Sequence, residues 1–263
     1  MTTPEMALPE PERTSFVHEG NELFSYRWPV NDRPRVLLIH GIGMGHWVYE
    51  SFITALLNGD TPFDVTAVDL PGFGDAPKPQ HALSMEHTAD LVALSLTAHE
   101  APSPLIVVGH SMGSQVAAEL AARHPQLVDA LVLVATTVNP AERSVHQQAK
   151  RMLQDLGTES IGVLARGALA YAQAGPRWFI EKLKPTLEHQ IERTLPRIEQ
   201  PTLVIRGSLD RVSPAVWARQ ITGLVPEASL LELEGHGHEA IIAHGEPAVQ
   251  GIERWLSQLP PRA

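Results

Sequence analysis

The chain has 263 residues, 43% of them hydrophobic and 19% charged, a balance that can fill the core of one globular α/β domain and excludes a chain disordered throughout. Twenty Lys and Arg stand against thirty Asp and Glu, a net charge of −10 with no basic run, which argues against nucleic acid and anionic membranes as partners. With no cysteine, disulfides, thiolate metal sites and a thiol nucleophile are excluded, and any covalent chemistry falls to another side chain.

Residues 1–14 are acidic and proline-rich and lack the basic start and apolar stretch of a secretory signal; they read as a flexible tail on a cytoplasmic protein. Phe16 to Trp28, interrupted by Glu19-Gly20-Asn21, reads as an antiparallel hairpin at a sheet edge. Val36-Leu37-Leu38-Ile39, Val65-Thr66-Ala67-Val68 and Leu105-Ile106-Val107-Val108 are short apolar runs, the first two followed by Gly-containing loops and the third ending at Gly109. Ser111 to Arg123 has helical spacing, and Leu131 to Val134, Thr202 to Ile205 and Ser229 to Leu233 continue the strand series. Ile252, Trp255, Leu256 and Leu259 mark an amphipathic closing helix.

Strand runs alternating with helical patterns predict a mostly parallel sheet flanked by helices. Between Val134 and Thr202 the strand signal gives way to helical patterns around 145–156, 160–171 and 177–195. A gap of that length inside a compact sheet predicts a helical insertion covering residues 138–196, with 15–137 and 197–263 forming the core domain.

Gly109-His110-Ser111-Met112-Gly113 matches G-x-S-x-G in its diagnostic setting, after an apolar strand and at the start of a helix. A serine forced into a strained turn to project its Oγ needs neighbours two positions away with almost no side chain. The helix also aims its first N–H groups where negative charge develops on an attacked carbonyl.

With His40-Gly41-Ile42-Gly43, Asp69-Leu70-Pro71-Gly72-Phe73-Gly74, Arg206-Gly207-Ser208-Leu209-Asp210 and Gly235-His236-Gly237-His238 in the same order, the chain resembles a capped α/β-hydrolase from about residue 16 to 259. The resemblance implies Ser111 as nucleophile, His238 as its base and Asp210 as the acid orienting that base, in the order Ser, acid, His. The strand preceding the insertion runs into Ala135-Thr136-Thr137-Val138-Asn139, which offers no carboxylate. Of two nearby histidines, the Gly-x-Gly-His pattern selects His238 over His236. The oxyanion donors are the backbone N–H of Met112 and, by resemblance, of Ile42. His40 and Asp69 read as loop architecture, and Met44, Trp47, Tyr171 and Trp178 are candidates for the substrate pocket.

The implied activity is hydrolysis of a carboxylic ester, lactone or thioester of a small, largely apolar substrate, without cofactor or metal, by a monomer or homodimer. Serine at position 111 argues against dehalogenase and epoxide hydrolase chemistry, which use a carboxylate nucleophile. His110 and Glu239 stand where carbon–carbon bond hydrolases commonly carry Asn and Trp, and no lysine of the hydroxynitrile lyase kind follows His238. Carbon–carbon hydrolysis, cofactor-free perhydrolase or oxygenase activity, and a ligand-binding receptor on the same fold are the alternatives.

Overall fold

The computed structural model describes residues 8–99, 104–156 and 175–260. Eight strands form one sheet: β1 (Glu12–His18), β2 (Asn21–Trp28), β3 (Arg35–Ile39), β4 (Asp64–Asp69), β5 (Leu105–His110), β6 (Ala130–Val134), β7 (Thr202–Gly207) and β8 (Ala228–Leu233), in spatial order β1-β2-β4-β3-β5-β6-β7-β8. From β4 to β8 every pairing is parallel, while β1 and β2 are antiparallel additions at one edge. Glu19 and Gly20 join those two strands with φ of 49° and 75°, the positive pair that a two-residue hairpin turn demands.

Among the described residues the α-helices are α1 (Glu50–Asn58), α2 (Met85–Ala98), α3 (Met112–Arg123), α4 (Val145–Leu156), α5 (Pro176–Glu188), α6 (Ile191–Thr194), α7 (Ala215–Leu224), α8 (Ala240–Ala243) and α9 (Glu246–Leu256). Because side chains alternate across a strand, Leu37, Ile39, Val107, Leu131 and Val204 face one layer, with α2, α3 and α7, whereas Val36, Leu38, Val108, Val132 and Ile205 face the other, with α1 and α9. Burial on both faces is why these strands read as unbroken apolar runs. No helix among the described residues is long and apolar enough to cross a membrane.

Two boundaries differ from the sequence reading. Residues 12–14 already pair with β2, inside the segment read as a tail, and Trp28 Nε1 donates to the Pro9 carbonyl at 2.7 Å. β1 is an edge strand with mostly exposed side chains, so backbone pairing holds it and no hydrophobic alternation announces it. The described part of the insertion is mostly helical, yet Ile191 and Leu195 belong to the apolar layer under α3, so its last stretch packs as part of the body.

β3 is followed by β4 on one side and, after α2, by β5 on the other, which makes the carboxyl edge between β3 and β5 the topological switch point where ligands bind in such sheets. There α3 lies so close to β3 that a Cβ on Gly113 would fall 2.2 Å from the Ile39 carbonyl oxygen. Gly113→Ala is expected to lower the unfolding free energy by about 3 kcal/mol, as overpacking against an immovable backbone does. Urea denaturation measures it, and a loss below about 0.5 kcal/mol, the ordinary surface range, would contradict this packing.

Candidate active site

Ser111 connects β5 to α3 with φ 53° and ψ −118°, a region that costs a non-glycine residue free energy and persists only where its surroundings dictate it. They do so by contact: a Cβ on Gly109 would sit 2.5 Å from the Gly113 carbonyl oxygen and 2.7 Å from Ala117 Cβ. The Ser111 N–H donates to Val134 O at 2.9 Å and its carbonyl accepts from Ser114 N at 3.0 Å, which fixes the turn from both sides.

Two loops at the same sheet edge bring partners to the serine. His238 lies in the loop after β8, its Nε2 3.1 Å from Ser111 Oγ and its Nδ1 3.0 Å from Asp210 Oδ2. All three side chains are buried. A carboxylate can only accept, so Nδ1 carries the hydrogen and Nε2 is left to accept the serine proton. Asp210 Oδ1 accepts the N–H groups of Val212 and Ser213, both at 2.8 Å. Buried Arg206 grips the carbonyls of Ser208, Asp210 and Ser213 at 3.2–3.3 Å, a brace that the sequence reading had not assigned.

Met112 is the first residue of α3, so its N–H has no acceptor within the helix. Ile42 lies on the loop after β3, and a Cβ on Gly41 of that loop would be 3.2 Å from both Ser111 Cβ and Met44 Sδ. Met44 and Ser111 thus both flank Gly41, and the Met44 thioether lies 3.5 Å from the Tyr49 hydroxyl oxygen. Trp178 is buried in one apolar cluster with Ile42, Phe73 and Met112, its ring centroid 6.3 Å from that of Phe73. Trp47 is partly buried against the opposite layer, and Tyr171 lies outside the described residues.

The remaining polar residues of these loops hold the scaffold. His40 donates from Nδ1 to Gly41 O at 2.7 Å and accepts the Leu70 N–H at 3.0 Å; burial pushes its pKa down, which keeps the ring neutral. Asp69 accepts the N–H groups of His46 and Asp75 at 2.6 and 2.9 Å, joining the loops after β3 and β4. His236 bonds the Glu234 carbonyl and packs on His244. Glu119 and His189, 70 positions apart, meet in a buried pair at 2.9 Å; no spacing rule signals such a contact.

The family described as alpha/beta hydrolase fold matches residues 34–165, half of the chain. The chain belongs to the α/β-hydrolase family. A second family, described as TAP-like protein, matches residues 178–260 of this hydrolase. Pimeloyl-acyl-carrier-protein methyl ester esterase of Chromobacterium violaceum is 29% identical over 249 residues, covering 85% of this chain and 94% of that protein. The esterase of the same name from Vibrio cholerae is 28% identical, with 86% and 95% covered. Among solved structures, a membrane phospholipase A described as a bacterial virulence factor superposes with a TM-score of 0.78 at 27% identity, over 94% of this chain and 86% of that one. A serine hydrolase involved in carbazole degradation shares the fold with a TM-score of 0.77 at 21% identity, over 95% and 100%.

In this hydrolase α5 is anchored by a buried lysine. Lys182 Nζ donates to Leu83 O at 2.7 Å and approaches Thr88 Oγ1 at 3.4 Å, and burial pushes its pKa down to about 7 from 10.5. Between those values the unfolded chain holds a proton that the folded protein lacks, so stability rises with pH. The unfolding free energy of wild type relative to Lys182→Met is expected to climb by about 1 kcal/mol per pH unit above pH 7. Denaturant titrations at pH 7, 8 and 9 check this, and a flat difference would contradict it.

Proposed function

We propose that this protein is a serine hydrolase that cleaves a carboxylic ester of a small, largely apolar substrate through an acyl intermediate on Ser111. The observation that carries the reading is the chain of contacts from Ser111 Oγ through His238 Nε2 and Nδ1 to Asp210 Oδ2, at 3.1 and 3.0 Å. A serine hydroxyl is a weak nucleophile unless a base removes its proton as it attacks. His238 takes that proton, and the Asp210 carboxylate stabilises the imidazolium that forms. The Ile42 and Met112 N–H groups donate to the developing oxyanion, an electrostatic contribution for which one lost donor typically costs about a hundredfold or more in rate. His238 then returns the proton to the leaving alcohol, and a water activated by the same ring hydrolyses the acyl-serine.

The acyl group lies against the apolar cluster of Ile42, Phe73 and Trp178, next to α5 of the insertion, with Met44 contributing to the walls. The names of the relatives from Chromobacterium violaceum and Vibrio cholerae favour an ester of a small alcohol over a lactone or thioester. Action on a small molecule in the cytoplasm, by a monomer or homodimer and without a cofactor, is part of the same proposal.

Stopped-flow hydrolysis of p-nitrophenyl butyrate tests the reading. Wild type is expected to show turnover through an acyl-enzyme, and Ser111→Ala or His238→Ala to lose about 10³-fold or more in kcat, with KM nearly unchanged. Asp210→Asn, which leaves the imidazole in the wrong tautomer, is expected to fall by about 10⁴-fold. Wild type and Ser111→Ala equally inert across an ester, lactone and thioester panel would contradict the hydrolase reading and favour a binding protein.

A further inference from the structure

His110 occupies the variable position before the serine, and its ring is wholly buried with a task of its own. Its Nε2 lies 3.1 Å from the backbone oxygen of His238, and its Nδ1 2.9 Å from the Tyr49 hydroxyl. That hydroxyl is also the acceptor for the Gly41 N–H at 3.2 Å. Tyr49, His110 and His238 come from the segment after β3, the end of β5 and the loop after β8.

The direction of every bond in the chain follows from chemistry. The His238 carbonyl can only accept, so His110 Nε2 carries a hydrogen. Burial, with the positive charge available to His238 adding to it, pushes the His110 pKa down to about 3; the ring is neutral and Nδ1 is bare. Tyr49 must then donate its single hydrogen to Nδ1, which leaves an oxygen lone pair for the Gly41 N–H. The Met44 thioether 3.5 Å from the same oxygen is left as a packing contact. Every hydrogen in the chain has an acceptor.

We infer that Tyr49 and His110 are positioning residues for the reaction, a buried hydrogen-bond chain that locks the loop bearing His238 to the loop bearing Ile42. The inference rests on the hydrolase reading above. Fixing the His238 carbonyl fixes its Cα, so the imidazole can move only about its side-chain torsions relative to Ser111. Holding Gly41 orients the next peptide, whose N–H is that of Ile42. Base and oxyanion donor thus share one reference frame with the nucleophile, to which His110 is covalently attached. A misplacement of about 1 Å in such a frame can cost about 100-fold in rate.

Two amide substitutions separate this role from simple filling of the core. His110→Gln places an amide donor near the Nε2 position and keeps the bond to His238; His110→Asn places its amide near Nδ1, keeps the Tyr49 contact and abandons His238. With p-nitrophenyl butyrate, His110→Asn is expected to lose about 10- to 100-fold in kcat with KM within threefold, while His110→Gln stays within about fivefold of wild type. Tyr49→Phe, which strands the Gly41 N–H, is expected to lose about tenfold in kcat. Equal kcat for His110→Asn and wild type would overturn the inference, as would His110→Gln falling as far as His110→Asn. Should the substituted proteins not fold, ¹⁵N-histidine NMR of wild type at pH 7 decides: a His110 ring protonated at Nε2 alone supports the chain, and one protonated at Nδ1 or at both nitrogens overturns it. Because this spectrum needs no substrate, it reads the chain even if wild type proves inert, an outcome that would count against the hydrolase reading alone.

Discussion

Ser111 holds φ 53° and ψ −118° because α3 is pressed onto β3 and β5 with no space between the backbones. Gly109 and Gly113 are the contact points, and neither position has room for a methyl group. If α3 stood away from the sheet by the width of a side chain, the turn could relax, the serine oxygen would fall back toward the helix, and the Met112 N–H would no longer flank it. Packing of apolar surface on both faces of the sheet holds α3 in place and so maintains the strained turn. Local strain persists where a larger structure over-determines it.

The parallel sheet solves the remaining positional problem. Ser111, Asp210 and His238 are separated by as many as 127 positions, yet parallel strands deliver all their carboxyl ends to one edge, and the register pairs His110 with Val134, Val134 with Ile205 and Gly207 with Leu233. Ser111 therefore needs a single step beyond β5, whereas Asp210 and His238, after β7 and β8, need longer loops to reach it. Those loops are held by braces: Arg206 of β7 on the carbonyls around Asp210, the N–H groups of Val212 and Ser213 on its carboxylate, and His110 of β5 on the His238 carbonyl.

Much of this was legible in the sequence. Strands buried on both faces must be apolar throughout, and that made β3 to β7 visible as runs such as Val36 to Ile39; the strained turn needs glycines at fixed offsets, and that made Ser111 visible. Features that depend on contacts between distant segments were hidden. The Tyr49 to His110 bond spans 61 positions and follows no spacing rule, and Lys182 gives no sign in its own helix that Leu83 will receive it. β1 was under-read at its start because an exposed edge strand with the sequence Glu12-Arg13-Thr14-Ser15 has polar side chains on both faces and is held by its backbone.

Convergence of a strained serine, its base and two backbone donors on one carbonyl carbon would be visible in a crystal structure of the protein after reaction with an alkyl fluorophosphonate. The phosphonate is expected on Ser111 Oγ, with its phosphoryl oxygen about 2.7–3.1 Å from both the Ile42 and Met112 nitrogens and His238 Nε2 on the side of the departing group. A phosphonate on any other residue, or a phosphoryl oxygen turned to solvent away from those two nitrogens, would contradict it.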